Sequence, residues 1–168
     1  MMIKRNFSII GLIIFFGFVF NLCILAQSKT NHQQRNILSK PIDPWTSSQV
    51  ITPEKLHNIL TNKKSHKPVV LMVGFDFLFD QEHIPGSIFA GTGSNKAGLQ
   101  KLKNTVKNYK ENKSIVIYCG CCPFNHCPNV RPAFKELKDM GYKNVKVLYI
   151  PKDFENNWVK EGYKVSSK

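Results

Sequence analysis

Residues 114–129 read SIVIYCGCCPFNHCPN, a short apolar run followed at once by a cysteine-rich loop. The run Ile115–Tyr118 has the length of a strand and no polar face. Strands that are apolar on both faces belong to parallel sheets covered by helices, and such sheets carry reactive groups in loops beyond the carboxyl ends of their strands. The stretch therefore predicts a parallel α/β fold with its chemistry in one loop. That loop holds four cysteines: Cys119, Cys121, Cys122 and Cys127.

The segments around this strand alternate between strand and helix patterns. Apolar runs at 69–73 and 145–149 predict two more strands, and apolar residues at helical spacing predict a helix before each of the three strands. Thr52 marks the start of the first helix, the second starts near Ser94, and Asn129 is expected to cap the third. This order predicts a three-layer α/β domain with a central, mostly parallel sheet.

Residues 1–26 have the pattern of an export signal. Lys4 and Arg5 precede a long apolar run, and no charged residue appears between Arg5 and Lys29. We interpret residues 1–26 as a signal peptide cleaved after Ala26. An uncleaved N-terminal anchor is the alternative, since a membrane span requires about 20 apolar residues. Both interpretations place the remaining chain outside the cytoplasm, either periplasmic or tethered to the membrane and facing the periplasm.

The export segment is followed by a region that is typical of a tether. Residues 27–48 are polar and interrupted by Pro41 and Pro44. Trp45 is the one residue of this region that we expect to pack against the domain. Residues 49–168 then form the predicted folded domain.

The charge of the chain is strongly positive but evenly spread. It carries 24 Lys and Arg against 11 Asp and Glu, a formal net charge of +13. Nearly all of the basic residues are lysines scattered along the sequence, which is typical of a solvated surface and not of a nucleic-acid-binding stripe. We therefore expect no nucleic-acid partner, and membrane contact only through the N-terminal segment if it stays uncleaved.

The position of the four cysteines predicts reactive thiols. Structural cysteines used as small apolar residues have no reason to concentrate in one loop. A thiol that faces the N-terminus of the following helix meets unpaired N–H groups and the positive end of the helix dipole, which favour the thiolate. We expect this effect at Cys119.

Three other roles for the loop stay open at this point. Disulfides could lock it in an oxidising compartment. Cys119 and Cys122 form a Cys-x-x-Cys pair followed by proline, the sequence context of a thiol–disulfide redox pair. A metal site is disfavoured because the adjacent Cys121 and Cys122 have difficulty binding one tetrahedral ion together.

Three motifs, in their order and spacing, resemble the rhodanese-like family. Residues 82–87, EHIPGS, are similar to the family's H-I-P-G-A segment. Residues 114–133 resemble its active-site strand, cysteine loop and helix, and residues 158–165, WVKEGYKV, resemble its closing W-x-x-x-G-Y-P-V stretch. The resemblance covers residues 50–166 and implies the rhodanese-like α/β fold.

The resemblance also implies a function, sulfur transfer through a cysteine persulfide. Cys119 matches the catalytic cysteine of the family. Three further cysteines are candidates to resolve the persulfide or to form a disulfide: Cys121, Cys122 and Cys127. The candidate substrate-binding residues are Gly120, Asn129 and Arg131. The expected partners are a small sulfur-containing anion or a thiol acceptor, with an external thiol reductant to reopen a disulfide, and neither a cofactor nor a metal is expected.

The chain departs from the family pattern in two places. Residues 71–75 read LMVGF where the family usually has L-I-D-V-R, so the usual acid and arginine are missing. The loop is also longer than usual, and it resembles that of a subgroup of exported bacterial rhodanese-like proteins. These departures leave a catalytically inactive binding module as an alternative. They also leave two roles for Arg131, which would either hold an anionic substrate or pair with a surface carboxylate.

Overall fold

The computed structural model describes residues 43–168. The predicted export segment, 1–26, and residues 27–42 of the predicted tether lie outside the described residues. Residues 43–168 form a unit of their own, which includes the last six residues of the predicted tether. Within this part of the chain, no helix is both long enough and apolar enough to cross a membrane.

Five strands and four α-helices alternate along residues 43–168. The strands are β1 (Val50–Ile51), β2 (Val69–Met72), β3 (Ile88–Phe89), β4 (Ile115–Tyr118) and β5 (Val145–Leu148). The helices are α1 (Pro53–Thr61), α2 (Asp76–Gln81), α3 (Lys96–Val106) and α4 (Val130–Asp139). Three short turns of helix complete the domain: 3₁₀ turns at Ser47–Gln49 and Phe124–His126, and a π-helical turn at Glu155–Val159.

All five strands join one parallel sheet in the order β1-β5-β4-β2-β3. The strand β4 lies at the centre, paired with β2 on one side and with β5 on the other, and its four residues are all buried. The predicted parallel sheet is therefore confirmed, and the cysteine loop leaves its central strand.

Alternate residues of β4 enter two separate hydrophobic cores, one on each face of the sheet. Ile115 and Ile117 belong to the first core, whose other members include Leu102, Val106, Ala133, Phe134 and Leu137 from α3 and α4. Val116 and Tyr118 belong to the second core, whose other members include Ile51, Leu56, Ile84 and Trp158. Because both faces of the sheet are covered, the domain has the three layers that the sequence predicts.

Two of the three predicted helix starts are made as expected, and one is not. The Thr52 side chain accepts a hydrogen bond from the Lys55 N–H at the start of α1, and Asn95 caps α3 in the same way, close to the predicted start near Ser94. The prediction that Asn129 caps α4 is wrong, since its side chain makes no cap bond. The reason is that this side chain is buried and accepts a hydrogen bond from the Ser94 N–H instead.

Tyr118, the last residue of β4, holds the His-Ile-Pro-Gly segment in place. Its hydroxyl accepts a hydrogen bond from the Ile84 N–H and lies 3.2 Å from the Ser87 Oγ. Burial raises the pKa of Tyr118 to about 12. His83 forms an antiparallel bridge with Ser166 near the end of the chain. This segment therefore fixes the structure beside the cysteine loop.

Candidate active site

The loop turns sharply out of β4 at Gly120. This residue has φ of +77°, a left-handed conformation that favours glycine. A Cβ here would lie 2.8 Å from the Cβ of Phe154, whose N–H donates a 3.0 Å hydrogen bond to the Gly120 carbonyl. The glycine therefore lets the loop pass under Phe154 and keeps Cys119 at the end of the strand.

The sulfur atoms of Cys119, Cys121 and Cys127 all lie within 4.8 Å of one another, and we refer to them as the thiol cluster. Cys119 Sγ and Cys121 Sγ are 3.1 Å apart. The Cys122 sulfur lies 3.2 Å from that of Cys121 and outside the cluster. All four cysteines of residues 43–168 are free thiols in this structure. Sequence spacing alone predicts one loop, whereas the fold brings three particular sulfur atoms together.

Asn129 supports the thiol cluster from inside the domain. Its side chain is fully buried, and its Nδ2 donates a 3.2 Å hydrogen bond to Cys119 Sγ and a longer one, 3.8 Å, to Cys121 Sγ. Its Oδ1 accepts from the Ser94 N–H at 3.0 Å, which fixes the orientation of the amide. Asn129, predicted from the sequence as a substrate-binding residue, therefore contacts the candidate nucleophile directly.

The four donors around Cys127 make it the most acidic thiol of the cluster. The thiols of Cys119 and Cys121 donate to its sulfur and are the largest cause of a Cys127 pKa well below its usual range. The backbone N–H groups of Asn129 and Val130, at the start of α4, lower this pKa further, while burial opposes them. The helix N-terminus thus acts on Cys127, and the expectation that it acts on Cys119 is wrong.

Cys119 is correspondingly the weaker acid. A hydrogen bond with Cys121 lowers its pKa, but the bond that it donates to Cys127, burial, and the negative charge on Cys127 together raise it to about 12. Hydrogen bonds with Cys119 and Cys127, together with burial, raise the pKa of Cys121. The pKa shifts of Cys119 and Cys127 therefore run in opposite directions.

Arg131 makes the second of its two predicted arrangements, a pair with a carboxylate. Its Nη2 and Nε lie 2.6 and 2.9 Å from Asp43 Oδ1. Its Nη1 donates to the backbone carbonyls of Cys127 and Phe124, and its guanidinium lies 5.5 Å from the ring centre of Trp45. These contacts tie residues 43–45 to the cysteine loop, and they occupy the donors that would otherwise meet an anion.

Trp45 covers the outer side of the loop. Its ring centre lies 5.5 Å from the ring centres of both Phe124 and Phe134. Phe124 in turn contacts Tyr149 edge to face at 5.0 Å. The packing expected for Trp45 is thus present, and it joins the loop to α4.

A cleft of about 620 Å³ leads to the loop and is lined by Cys119, Gly120 and Cys121. Its walls include three apolar residues, Met72, Leu78 and Phe154, and three acidic residues, Glu82, Asp153 and Glu155. Of the described residues that line the cleft, none is basic. The route to Cys119 is therefore locally acidic although the chain as a whole is strongly basic.

The profile of the rhodanese-like domain family matches residues 52–149, which is more than half of the chain and includes the whole cysteine loop. The chain belongs to the rhodanese-like domain family. No curated protein matches it.

Solved structures agree with this assignment at the level of the fold. The BH2092 protein from Bacillus halodurans is 20% identical, with a TM-score of 0.54 over 84% of this chain and 86% of that one. The rhodanese-like domain of the Alr3790 protein from Anabaena sp., solved by NMR, is 13% identical, with a TM-score of 0.54 over 71% of this chain and 80% of that one. A crystal structure of the Alr3790 protein gives 14% identity and the same TM-score over 70% and 82%.

Gly74 stands opposite the valine of the family's L-I-D-V-R pattern, between Val73 and Phe75, which replace the acid and the arginine. A Cβ at Gly74 would lie 3.0 Å from the Cys119 carbonyl oxygen and 3.2 Å from Cys119 Sγ. Contacts of this length are tighter than ordinary packing, so a larger side chain would press on the thiol. The missing side chain therefore leaves room for the Cys119 sulfur.

The carboxylates of the cleft are the site residues that the sequence did not reveal. Asp153 and Glu155 lie shortly after the end of β5, and Glu82 lies just after α2. Loops that follow parallel strands meet at one edge of the sheet, so the position of Asp153 and Glu155 after a predicted strand was the available signal. Glu82 carries no such signal.

Proposed function

We propose that this rhodanese-like protein is an exported sulfurtransferase that carries sulfane sulfur as a persulfide on Cys119. The observation that carries the proposal is the position of Cys119 at the end of the central strand, where the cleft meets the thiol cluster. Export rests on the pattern of residues 1–26. The mass of the N-terminal peptide recovered from the periplasm tests it, and a protein retained in the cytoplasm would contradict it.

Sulfur transfer begins with the thiolate of Cys119, whose proton passes to the solvent in the cleft that reaches it. The Cys119 thiolate attacks the outer sulfur of a sulfane donor, the sulfur–sulfur bond of the donor breaks, and the remainder leaves with the electron pair. Asn129 Nδ2 and the Cys121 backbone N–H, which both face Cys119 Sγ, stabilise the charge on its sulfur.

The charge of the cleft selects among donors. Thiosulfate is a dianion, and the carboxylates of Glu82, Asp153 and Glu155 lie along its route. Like charges disfavour its entry, whereas an uncharged persulfide meets no such barrier. We therefore expect a persulfide of a small thiol to load Cys119 faster than thiosulfate does.

Cys121 is placed to resolve the persulfide. Its sulfur lies 3.1 Å from Cys119 Sγ. Attack by the Cys121 thiol on the inner sulfur forms a Cys119–Cys121 disulfide, and the outer sulfur leaves as hydrosulfide with the electron pair of the broken bond. An external thiol reductant then reopens the disulfide. When an external thiol acceptor takes the outer sulfur first, no disulfide forms.

Intact mass spectrometry of the reduced full-length protein tests the proposal. Incubation with a small-molecule persulfide should add the mass of one sulfur atom to the Cys121→Ser protein, in which Cys121 cannot resolve the persulfide, and a further Cys119→Ser change should abolish this gain. Cys122→Ser is the matched control, because Cys122 lies in the same loop but outside the thiol cluster. A sulfur gain that survives in the Cys119→Ser protein would show that the carrier is another residue.

A thiol–disulfide redox protein is the second candidate, favoured by the short distance between the sulfur atoms of Cys119 and Cys121. Under a mild oxidant, such a protein would lose the mass of two protons and recover it with a reductant, without any gain of sulfur from a persulfide. The same mass measurement therefore separates the two functions.

A further inference from the structure

The thiol cluster has the geometry of a three-coordinate metal site. An ion with metal–sulfur bonds of about 2.3 Å and three ligands in a plane holds its sulfur atoms about 4.0 Å apart. The three sulfur atoms of the cluster lie within 4.8 Å of one another, and Cys119 Sγ and Cys121 Sγ, 3.1 Å apart, have to separate by about 1 Å to reach that spacing. The difficulty with the adjacent pair Cys121 and Cys122 does not arise, because Cys127 supplies the third sulfur.

Groups around the cluster are suited to thiolates bound to an ion of low charge. Asn129 Nδ2 points at the sulfur atoms of Cys119 and Cys121, and the N–H groups of Asn129 and Val130 face that of Cys127. Such hydrogen bonds from the outer shell orient thiolate ligands and offset their negative charge. The buried Asn129 amide therefore already has the orientation that metal-bound thiolates need.

The cleft favours the entry of a cation. Three carboxylates line the passage that ends at Cys119 and Cys121, and no basic residue lines it among those described. Fields from one sign of charge in a cleft raise the local concentration of the opposite ion. The acidic lining is confined to the cleft, since the chain as a whole is basic, with a formal net charge of +13.

We propose that the thiol cluster of Cys119, Cys121 and Cys127 binds one thiophilic metal ion, and that this ion is Cu(I). Thiolate sulfur is the ligand type that selects Cu(I), and a three-coordinate site suits it, whereas structural zinc sites use four ligands. Copper enters as Cu(I), so no electron is transferred, and the thiol protons that it displaces go to the solvent. The copper site does not rest on sulfur transfer, but copper bound to Cys119 would exclude a persulfide there.

Anaerobic titration of the reduced full-length protein with Cu(I), against a coloured Cu(I) chelator, tests the proposal. We expect one Cu(I) per chain, and X-ray absorption of the bound copper should show three sulfur ligands. Cys121→Ser and Cys127→Ser should each weaken binding by more than about 100-fold, beyond the 10–100-fold typical of outer-shell partners. Cys122→Ser, the matched control, should bind Cu(I) like the unchanged protein.

Several results would overturn the copper site. They are two or more Cu(I) ions per chain, fewer than three sulfur ligands in the unchanged protein, or equal losses in the Cys122→Ser and Cys127→Ser proteins. The ligand count uses the unchanged protein, so it decides the question even if a variant fails to fold. Copper binding without sulfur loading would refute only the sulfurtransferase, and sulfur loading without copper binding would refute only the copper site.

Discussion

The two faces of the sheet bury different kinds of side chain. The first core includes two loop cysteines, Cys119 and Cys127. The second core contains no cysteine among residues 43–168, and Trp158 is its largest buried side chain. Because successive strand residues point to opposite faces, Tyr118 enters the second core and the neighbouring Cys119 the first.

This difference separates reactivity from structural support. The cleft forms where the two cores meet, with thiols from the first core and an apolar wall of Met72, Leu78 and Phe154 from the side of the second. Substitutions in the second core should therefore change folding and leave the chemistry of each folded molecule intact. Substitutions around the cysteine loop should change the chemistry of each folded molecule more than they change folding.

The largest effect on stability is expected from Trp158→Ala in the second core. Trp158 is 1% exposed, and its Nε1 donates a hydrogen bond to the Lys164 carbonyl. Its truncation should lower the free energy of unfolding by about 3–5 kcal/mol in urea denaturation. Phe77→Ala is the control, because Phe77 is 57% exposed and its loss should cost within about 0.5 kcal/mol. Equal costs would contradict the assignment of Trp158 to the core.

A smaller loss of stability, with a larger loss of chemistry, is expected from Asn129→Ala. The change leaves the Ser94 N–H without its partner and removes the donor to Cys119, at a cost of about 1–3 kcal/mol. Asn95→Ala is the control, since loss of the α3 cap costs about 1 kcal/mol but removes no hydrogen bond to a thiol or to Asn129. Only Asn129→Ala should slow sulfur loading, followed by intact mass. Equal loading rates for both proteins would remove Asn129 from the site.

Asp43→Ala and Arg131→Ala should have modest effects, with the larger one at Arg131. The pair is partly exposed, so Asp43→Ala should cost about 1 kcal/mol or less of stability. Arg131→Ala should cost more, because Arg131 also donates to the carbonyls of Phe124 and Cys127. Because Arg131 holds the loop through Cys127 and Asp43, its loss should slow loading by thiosulfate and by an uncharged persulfide to the same degree. A selective rise in the apparent Michaelis constant for thiosulfate would instead show that Arg131 binds the anion.

The last effect concerns Tyr118 and is confined to alkaline pH. Its pKa is raised from 10.0 to about 12 in the folded state, so the folded protein holds this proton more tightly than the unfolded chain. The resulting stability is fully present below pH 10 and is lost as the pH rises toward 12. Urea denaturation across this range should show a steeper decline for the unchanged protein than for Tyr118→Phe. Parallel declines would mean that other groups cause the alkaline loss.

The parts of the fold that could be predicted are those with enough residues to show a period. The continuous apolar runs located β2, β4 and β5, and Thr52 located the start of α1. The edge strands β1 and β3 have two residues each, too few for any alternation to appear. The six-residue helix α2 buries none of its residues fully, so it carries no clear apolar stripe.

The candidate site was predictable as a loop but not as a geometry. The position of Cys119 after a central strand follows from the sequence pattern, whereas the convergence of Cys127 and not Cys122 on it depends on the path of the loop. Asn129 has the residue type of a helix cap, and only its burial against Ser94 and Cys119 turns it into a support for the thiols. Long-range contacts of this kind leave no period in the sequence.

The link between Asp43 and Arg131 gives the cysteine loop a mechanical role. Residues 43–45 hold the loop through this ion pair and through the tilted contact between the rings of Trp45 and Phe124. A force applied to the chain before Asp43 would therefore act on the cysteine loop first and on the strands of the sheet only afterwards. The part of the domain nearest to the predicted tether is thus also the part that carries its thiols.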